Sequence, residues 1–178
     1  MRIIAGRAKG RRLKAPAKGT RPFTGRAKEA VFSALGERIP GARVLDLFAG
    51  TGSLGLEALS RGAGSATFVE NGGSAVAILR ENIATVGLGG RIVHSDAVAF
   101  LRRDRASYDV IFADPPYADS DEGVLLMLRL AADRLEPGGV VVLHRRAGGS
   151  EPASDNLHRT DRRRYGDSEI WTFKKEEA

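Results

Sequence analysis

The chain contains no cysteine, which excludes disulfides, thiolate zinc sites and cysteine nucleophiles and accords with a reducing compartment. It also lacks any apolar run of membrane-spanning length, and its basic start is without the apolar stretch of a secretory signal. A cytoplasmic protein with no membrane partner is therefore expected. The three histidines, His94, His144 and His158, share no spacing, so they read as structural residues and no metal site is expected. Acids are nearly absent at the start: residues 1–30 carry ten Lys or Arg against Glu29 alone, a local balance of +9 that leaves −3 for the rest of a chain whose net charge is +6. A basic segment joined to a mildly acidic body is what a binder of phosphate backbone presents.

With 178 residues, 42% hydrophobic and 28% charged, the chain has the length and balance of one soluble domain with a proper core. Within the basic segment, Arg2-Ile3-Ile4-Ala5-Gly6 and Arg11-Arg12-Leu13-Lys14-Ala15 resemble two short strands joined through Ala8-Lys9-Gly10. The reading is an ordered basic β-hairpin extension over residues 1–22, followed by the main domain over 23–178. Arg2, Arg7, Lys9, Arg11, Arg12, Arg21 and Arg26 are its candidate phosphate contacts. From residue 27 the apolar positions Ala27, Ala30, Val31, Ala34 and Leu35 take helical spacing, with Thr24 as a cap and Pro40-Gly41 as the stop.

The body opens with the apolar strand Arg43–Ala49, carrying one acid, Asp46, and runs directly into Gly50-Thr51-Gly52-Ser53-Leu54-Gly55. Strand, G-x-G-x-x-G turn and helix are the setting in which a ligand approaches the backbone at a helix N-terminus. The glycine pattern alone serves NAD enzymes, flavoproteins and proteins that bind S-adenosylmethionine (SAM). Asp46 chooses among them, the plain alternative being a helix cap or a local turn acid. A carboxylate pointing into that turn would repel a pyrophosphate, whereas SAM has no phosphate and carries an ammonium and a sulfonium.

Strand and helix then alternate, and an acid recurs at each strand end: Glu70 after Ala66–Val69, Asp96 after Arg91–His94, and Asp114 after Tyr108–Ala113. Glu70 lies about twenty residues past the glycine turn, the position of an acid that accepts from both ribose hydroxyls; Asp96 is placed to accept from the adenine amino group. Phe48, Thr51, Asn71 and Ala97 adjoin these turns and complete the expected cofactor set with Asp46, Gly50, Gly52, Glu70 and Asp96. Asp114-Pro115-Pro116-Tyr117 is the expected catalytic element. Two prolines fix two φ angles and remove two donors, leaving a stiff rim with free carbonyls, a carboxylate before it and an aromatic ring after it. That rim suits a planar base whose amino group must be held still; the plain alternative is a strand stop with Tyr117 packed as core. Further on, Val124–Leu135 reads as a helix, Pro137-Gly138-Gly139 as a turn, Val140–His144 as a buried strand, and Leu157–Tyr165 with Ser168–Phe173 as a closing hairpin flanked by Arg162, Arg163 and Arg164.

Taken together these motifs resemble the bacterial RsmD-type methyltransferases, which modify a guanine N2 in 16S ribosomal RNA. The likeness rests on Met1–Gly6 with Lys9-Gly10-Arg11, on Arg21-Pro22, on Val44–Leu59 with Arg61-Gly62-Ala63, on Phe68-Val69-Glu70, on Ala113–Tyr117 and on Tyr165–Ser168. The chain departs from the family at Phe23 and Gly25, where threonine and aspartate are usual, and at Gly72, where a charged residue is usual. The resemblance implies a doubly wound, Rossmann-like α/β domain of the SAM-methyltransferase type, with a seven-stranded sheet whose last strand is antiparallel. It implies SAM as cofactor and 16S rRNA as partner, within a partly or fully assembled small subunit; a monomer is expected. Two other readings stay open at this point: a DNA adenine-N6 or different RNA amino-group methyltransferase, which would use the same tetrapeptide, and a non-catalytic nucleic-acid-binding module.

Overall fold

A computed structural model describes residues 1–15, 23–152 and 154–177. Seven strands form one sheet in the order β3-β2-β1-β4-β5-β7-β6: β1 (Arg43–Leu47), β2 (Ser65–Glu70), β3 (Arg91–His94), β4 (Tyr108–Ala113), β5 (Leu135–Arg146), β6 (Leu157–Tyr165) and β7 (Ser168–Lys175). β1 pairs in parallel with both β2 and β4, β3 with β2, and β5 with β4, while β7 is antiparallel to β5 and β6. The chain winds outward from β1 to β3 and returns to β4 on the other side of β1, so the strand order reverses between β1 and β4. Ligands of open α/β sheets bind outside the carboxyl ends of the strands at such a reversal.

Five α-helices cover the two faces: α1 (Gly25–Leu35), α2 (Ser53–Ser60), α3 (Gly73–Val86), α4 (Ala97–Arg103) and α5 (Asp121–Arg134). On one face Val44, Phe68, Val110, Phe112 and Val142 meet α1, α2 and α3; on the other Leu45, Val69, Ile111, Val141 and Leu143 meet α4 and α5. That split follows from strand periodicity, since neighbours along β1, β4 and β5 point to opposite faces and both faces are covered. Side-chain caps begin the helices where the sequence supplies them: Thr24 accepts from the Ala27 amide at 3.2 Å, Asp96 from Ala99 at 2.8 Å and Ser120 from Gly123 at 3.1 Å. No described helix is long and apolar enough to cross a membrane.

Three expectations are corrected. α1 stops at Leu35 and passes into a short 3-10 turn over Gly36–Arg38, before Pro40-Gly41 is reached. Pro137-Gly138-Gly139 is no separate turn; it lies inside β5 at an irregularity of its pairing with β4, between Tyr108 and Val110. In the basic segment the two halves are joined by backbone bonds from Ile3 to Arg11 and from Leu13 to Met1, both at 3.0 Å, but regular strands are not formed. Residues 1–15 double back on themselves with a single antiparallel bridge between Arg2 and Arg12. The reason is competition for backbone donors. The Ile4 and Ala5 amides donate to the Glu57 carboxylate at 2.8 and 3.0 Å, and the Ala8 amide to Ser60 Oγ at 2.9 Å, so they are lost to a ladder. The segment is nevertheless built into the molecule, with Ile3, Ala8 and Leu13 buried in the same core as α1 and α2. Its continuation, including Arg21 and Pro22, lies outside the described residues.

Candidate active site at the carboxyl edge of the sheet

A cavity of about 740 Å³ opens where the strand order reverses. Asp46, Glu70, Asp96, Asp114 and Asp119 line it, and among the described residues that line it there is no Lys or Arg. All four residues of the Asp-Pro-Pro-Tyr element face this space, as do Phe48, Gly50, Thr51, Asn71 and Ala97. Gly52 alone of the expected cofactor set does not. It begins α2 in a left-handed conformation (φ 81°), and a Cβ there would stand 2.4 Å from Leu79 Cδ1, so its place is fixed by packing against α3.

Asp46, Glu70 and Asp96 each accept from a backbone amide, and Asp114 pairs with a side chain. Asp46, 2% exposed, accepts from the Gly55 amide at 2.9 Å. Burial pushes its carboxyl well above the usual carboxylate range, opposed by the Gly55 hydrogen bond and reinforced by the charges of Asp114 and Glu70. Glu70 bridges two turns, one oxygen accepting from Gly50 at 2.8 Å and the other from Gly72 at 2.7 Å. Asp96 caps α4, as above. These contacts are the local cap roles that strand-end acids commonly play, and they leave acceptor directions free for a ligand, because a carboxylate offers about four. Phe48, in the same turn, is the one described non-glycine residue with positive φ (58°); such a conformation costs roughly 1–2 kcal/mol and is kept where the surroundings impose it.

At the Asp-Pro-Pro-Tyr end, Arg145 donates to the carbonyls of Pro116 at 3.1 Å and Asp119 at 3.0 Å and so pins the loop after β4. Among the described residues the Pro115 carbonyl accepts nothing. The Tyr117 hydroxyl is buried without a partner among them, and the Arg146 guanidinium sits 5.9 Å from the ring centroid.

Of the three histidines read as structural, His144 stands at the site itself. It lines the cavity, and its Nδ1 is 2.7 Å from Asp114 Oδ1, while Phe23 packs on the ring at 4.8 Å between centroids. The signal was present in the pairing: Val110–Ala113 runs beside Val140–Leu143 in parallel register, so the residues that follow, Asp114 and His144, emerge side by side. Spacing in the sequence could not show it, because the two are thirty residues apart.

In the basic segment, the structure commits Arg11 elsewhere: its guanidinium donates to the Thr85 and Val86 carbonyls at 2.5 and 2.8 Å, at the C-terminal end of α3. Arg2, Arg7, Lys9, Arg12 and Arg26 are exposed, and none has a side-chain partner among the described residues. The arginines of β6 are partly neutralised, Arg162 by Glu169 and Arg163 by Asp161.

Sheet order, glycine turn and an acid-lined cavity at the reversal point define a SAM-dependent methyltransferase of the Rossmann-like type. Comparison with known proteins carries this to a family. The family model described as "Conserved hypothetical protein 95" matches residues 1–174. The Bacillus subtilis protein named "Putative rRNA methyltransferase YlbH" is 36% identical over 182 residues, covering 98% of this chain and 99% of that one. "Ribosomal RNA small subunit methyltransferase D" of Escherichia coli is 43% identical over 119 residues, which span 66% of this chain and 60% of that protein. Among solved structures, the one titled "Putative methyltransferase yhhF from Escherichia coli" superposes with a TM-score of 0.90 at 32% identity, covering 100% of this chain and 99% of that one. A hypothetical protein of Thermus thermophilus does so at 0.86 and 36% identity, covering 100% and 99%. The chain belongs to this family, the RsmD-type methyltransferases.

Proposed function

We propose that this protein transfers a methyl group from SAM to the exocyclic N2 of a guanine in small-subunit ribosomal RNA. The observation that carries the reading is the cavity itself: five acids and, among its described lining residues, no Lys or Arg, ending at a stiff rim with one free carbonyl and one carboxylate. Asp46 lies deepest, Glu70 and Asp96 stand at the next two strand ends, and this donor-poor, acceptor-rich set fits a cation that carries ribose hydroxyls and an adenine amine. It is the wrong set for a pyrophosphate. When bound, SAM supplies a methyl on a positively charged sulfur, and the bond to nitrogen forms as the carbon–sulfur bond breaks, its electron pair remaining on sulfur.

The chain's own part is to make a poor nucleophile competent. The lone pair of an exocyclic amine is conjugated into the ring, and it is released only if the group is held and its hydrogens are drawn to acceptors. Asp114 accepts one N–H and the Pro115 carbonyl the other, opposing the positive charge that develops on nitrogen. The surplus proton then leaves for Asp114 and solvent. Tyr117 offers a face for the extruded base, a contact worth about 1–3 kcal/mol. No cysteine is needed, since no ring carbon is attacked.

The family names give the substrate class, and the exposed cations Arg2, Arg7, Lys9, Arg12 and Arg26 support an RNA track leading to the cavity. The proposed substrate is a partly or fully assembled small subunit, acted on by a monomer in the cytoplasm. The test is methyl incorporation from labelled SAM into small subunits taken from a strain that lacks the protein, with mass analysis of the nucleosides. N2-methylguanosine at one position is expected, and Asp114→Ala should abolish it while calorimetry still reports SAM binding. Transfer at the wild-type rate by Asp114→Ala would reduce the tetrapeptide to a structural turn.

A further inference from the structure

The Asp114 carboxylate is not held by the rim it belongs to. Its one side-chain partner among the described residues is His144, on the adjacent strand β5, through Oδ1 at 2.7 Å; Oδ2 makes no hydrogen bond to them, and the side chain remains 31% exposed to the cavity. His144 itself is 7% exposed. Its ring is enclosed by Phe23 at 4.8 Å and 55° and by Tyr117 at 5.9 Å and 57°, both tilted contacts of the kind aromatic rings favour. An ionised carboxylate can only accept, so Nδ1 carries the hydrogen and His144 donates.

We propose that His144 is a positioning residue for methyl transfer, an inference that rests on the role of Asp114 proposed above. A carboxylate on a single torsion can turn either oxygen toward the amine or away from it. With Oδ1 tied to a ring that is clamped by Phe23 and Tyr117, the rotation is fixed and Oδ2 is left as the acceptor that faces the target amine. The register of β4 and β5 makes the tie automatic, because the residues after Ala113 and Leu143 leave the sheet together. Phe23 is the side chain that packs most closely on the imidazole. No bond is made or broken by His144; its effect is on where the Asp114 oxygens stand when the amine arrives, and misplacement of a catalytic group by about 1 Å can cost on the order of 100-fold in rate.

The experiment compares His144→Phe, which fills the site and removes the donor, with His144→Asn, whose amide nitrogen falls near the place of Nδ1. Both are assayed with small subunits at saturating SAM, beside Asp114→Asn and the double variant Asp114→Asn with His144→Phe. Expected are a fall in kcat of roughly 10–100-fold for His144→Phe, substantial recovery in His144→Asn, unchanged SAM affinity and RNA KM in both, and no further loss when His144→Phe is added to Asp114→Asn. Wild-type kcat in His144→Phe, or equal losses in the Phe and Asn variants, overturns the inference. Thermal melts of each variant separate this from misfolding, and His144→Asn is the informative one if His144→Phe does not fold. If Asp114→Asn is fully active, the underlying reading of Asp114 fails instead, whatever His144 does.

Discussion

Glu57 offers the sharpest test of how the basic segment is held to the catalytic domain. Its carboxylate is completely buried on α2 and takes four donors: the Ile4 and Ala5 amides at 2.8 and 3.0 Å, Lys28 Nζ at 3.2 Å and Arg61 Nε at 2.8 Å. Lys28, 1% exposed, spends its remaining donors on the Arg2 carbonyl at 3.0 Å and Ser53 Oγ at 3.2 Å. Burial lowers the Lys28 ammonium from its ordinary pKa, and Glu57 is what opposes that. In Glu57→Gln the shape survives, but the carbonyl oxygen keeps only two of the four donors, the NH2 group faces the other two, and Lys28 becomes an uncompensated buried cation. Breaking one side of a buried pair costs about 3–5 kcal/mol. For a chain of this size each kcal/mol moves the midpoint by about 2–4 °C, so calorimetry should show Tm falling by roughly 6–20 °C. Adding Lys28→Met should recover part of the loss, because the orphaned charge is gone, although only one of the Ile4 and Ala5 amides keeps the Gln oxygen. A Tm for Glu57→Gln within about 2 °C of wild type would mean that water or local movement satisfies these donors and that the anchoring argument is wrong.

Two further outcomes are expected. Because burial raises the Asp46 pKa, the folded protein holds that proton longer than the unfolded chain, and the contribution to stability is lost as pH rises through the raised value; Asp46→Asn should therefore leave the ligand-free protein at least as stable near neutral pH, yet weaken SAM by about 1.5–3 kcal/mol, read by melting against pH and by calorimetry. A lower Tm with unchanged SAM affinity would make Asp46 a cap and nothing more. Reversing Arg7, Lys9 and Arg12 to Glu, all exposed and without partners among the described residues, should flatten the dependence of log affinity for RNA on log salt by about 2–3 units while leaving SAM binding intact, and an unchanged slope would return the segment to a scaffold role.

What could be read in the sequence was whatever repeats along one element. Apolar runs carrying or followed by an acid gave β1, β2 and β4 with Asp46, Glu70 and Asp114, since a strand carries its own signal in consecutive residues. What could not be read depends on which elements are neighbours. His144 matters through the register of β5 on β4, and Lys28 with Glu57 through the approach of α1 to α2; neither pair has any spacing that marks it. The irregular form of the N-terminal segment belongs here too. Its strand pattern was sound, but propensity could not reveal that the Glu57 carboxylate and the Ser60 hydroxyl would capture its amides.

The strand-end acids show why cap and ligand are poor alternatives to choose between. Hydrogen bonds from Gly55 to Asp46, from Gly50 and Gly72 to Glu70, and from Ala99 to Asp96 fix each carboxylate in direction without exhausting it. Fixed in this way, the acids cannot swing apart, and the charges of Asp114 and Glu70 accordingly disfavour ionisation of Asp46. The cavity is thus held against its own repulsion by backbone donors. A ligand that relieves the repulsion must bring positive charge to the depth of Asp46 and donors to Glu70 and Asp96, and a ligand bearing phosphate would add to it. Selectivity for a cationic cofactor over a dinucleotide is on this account a property of the ligand-free fold, set by amides that any acid-to-amide substitution would leave in place while removing the charge they hold together.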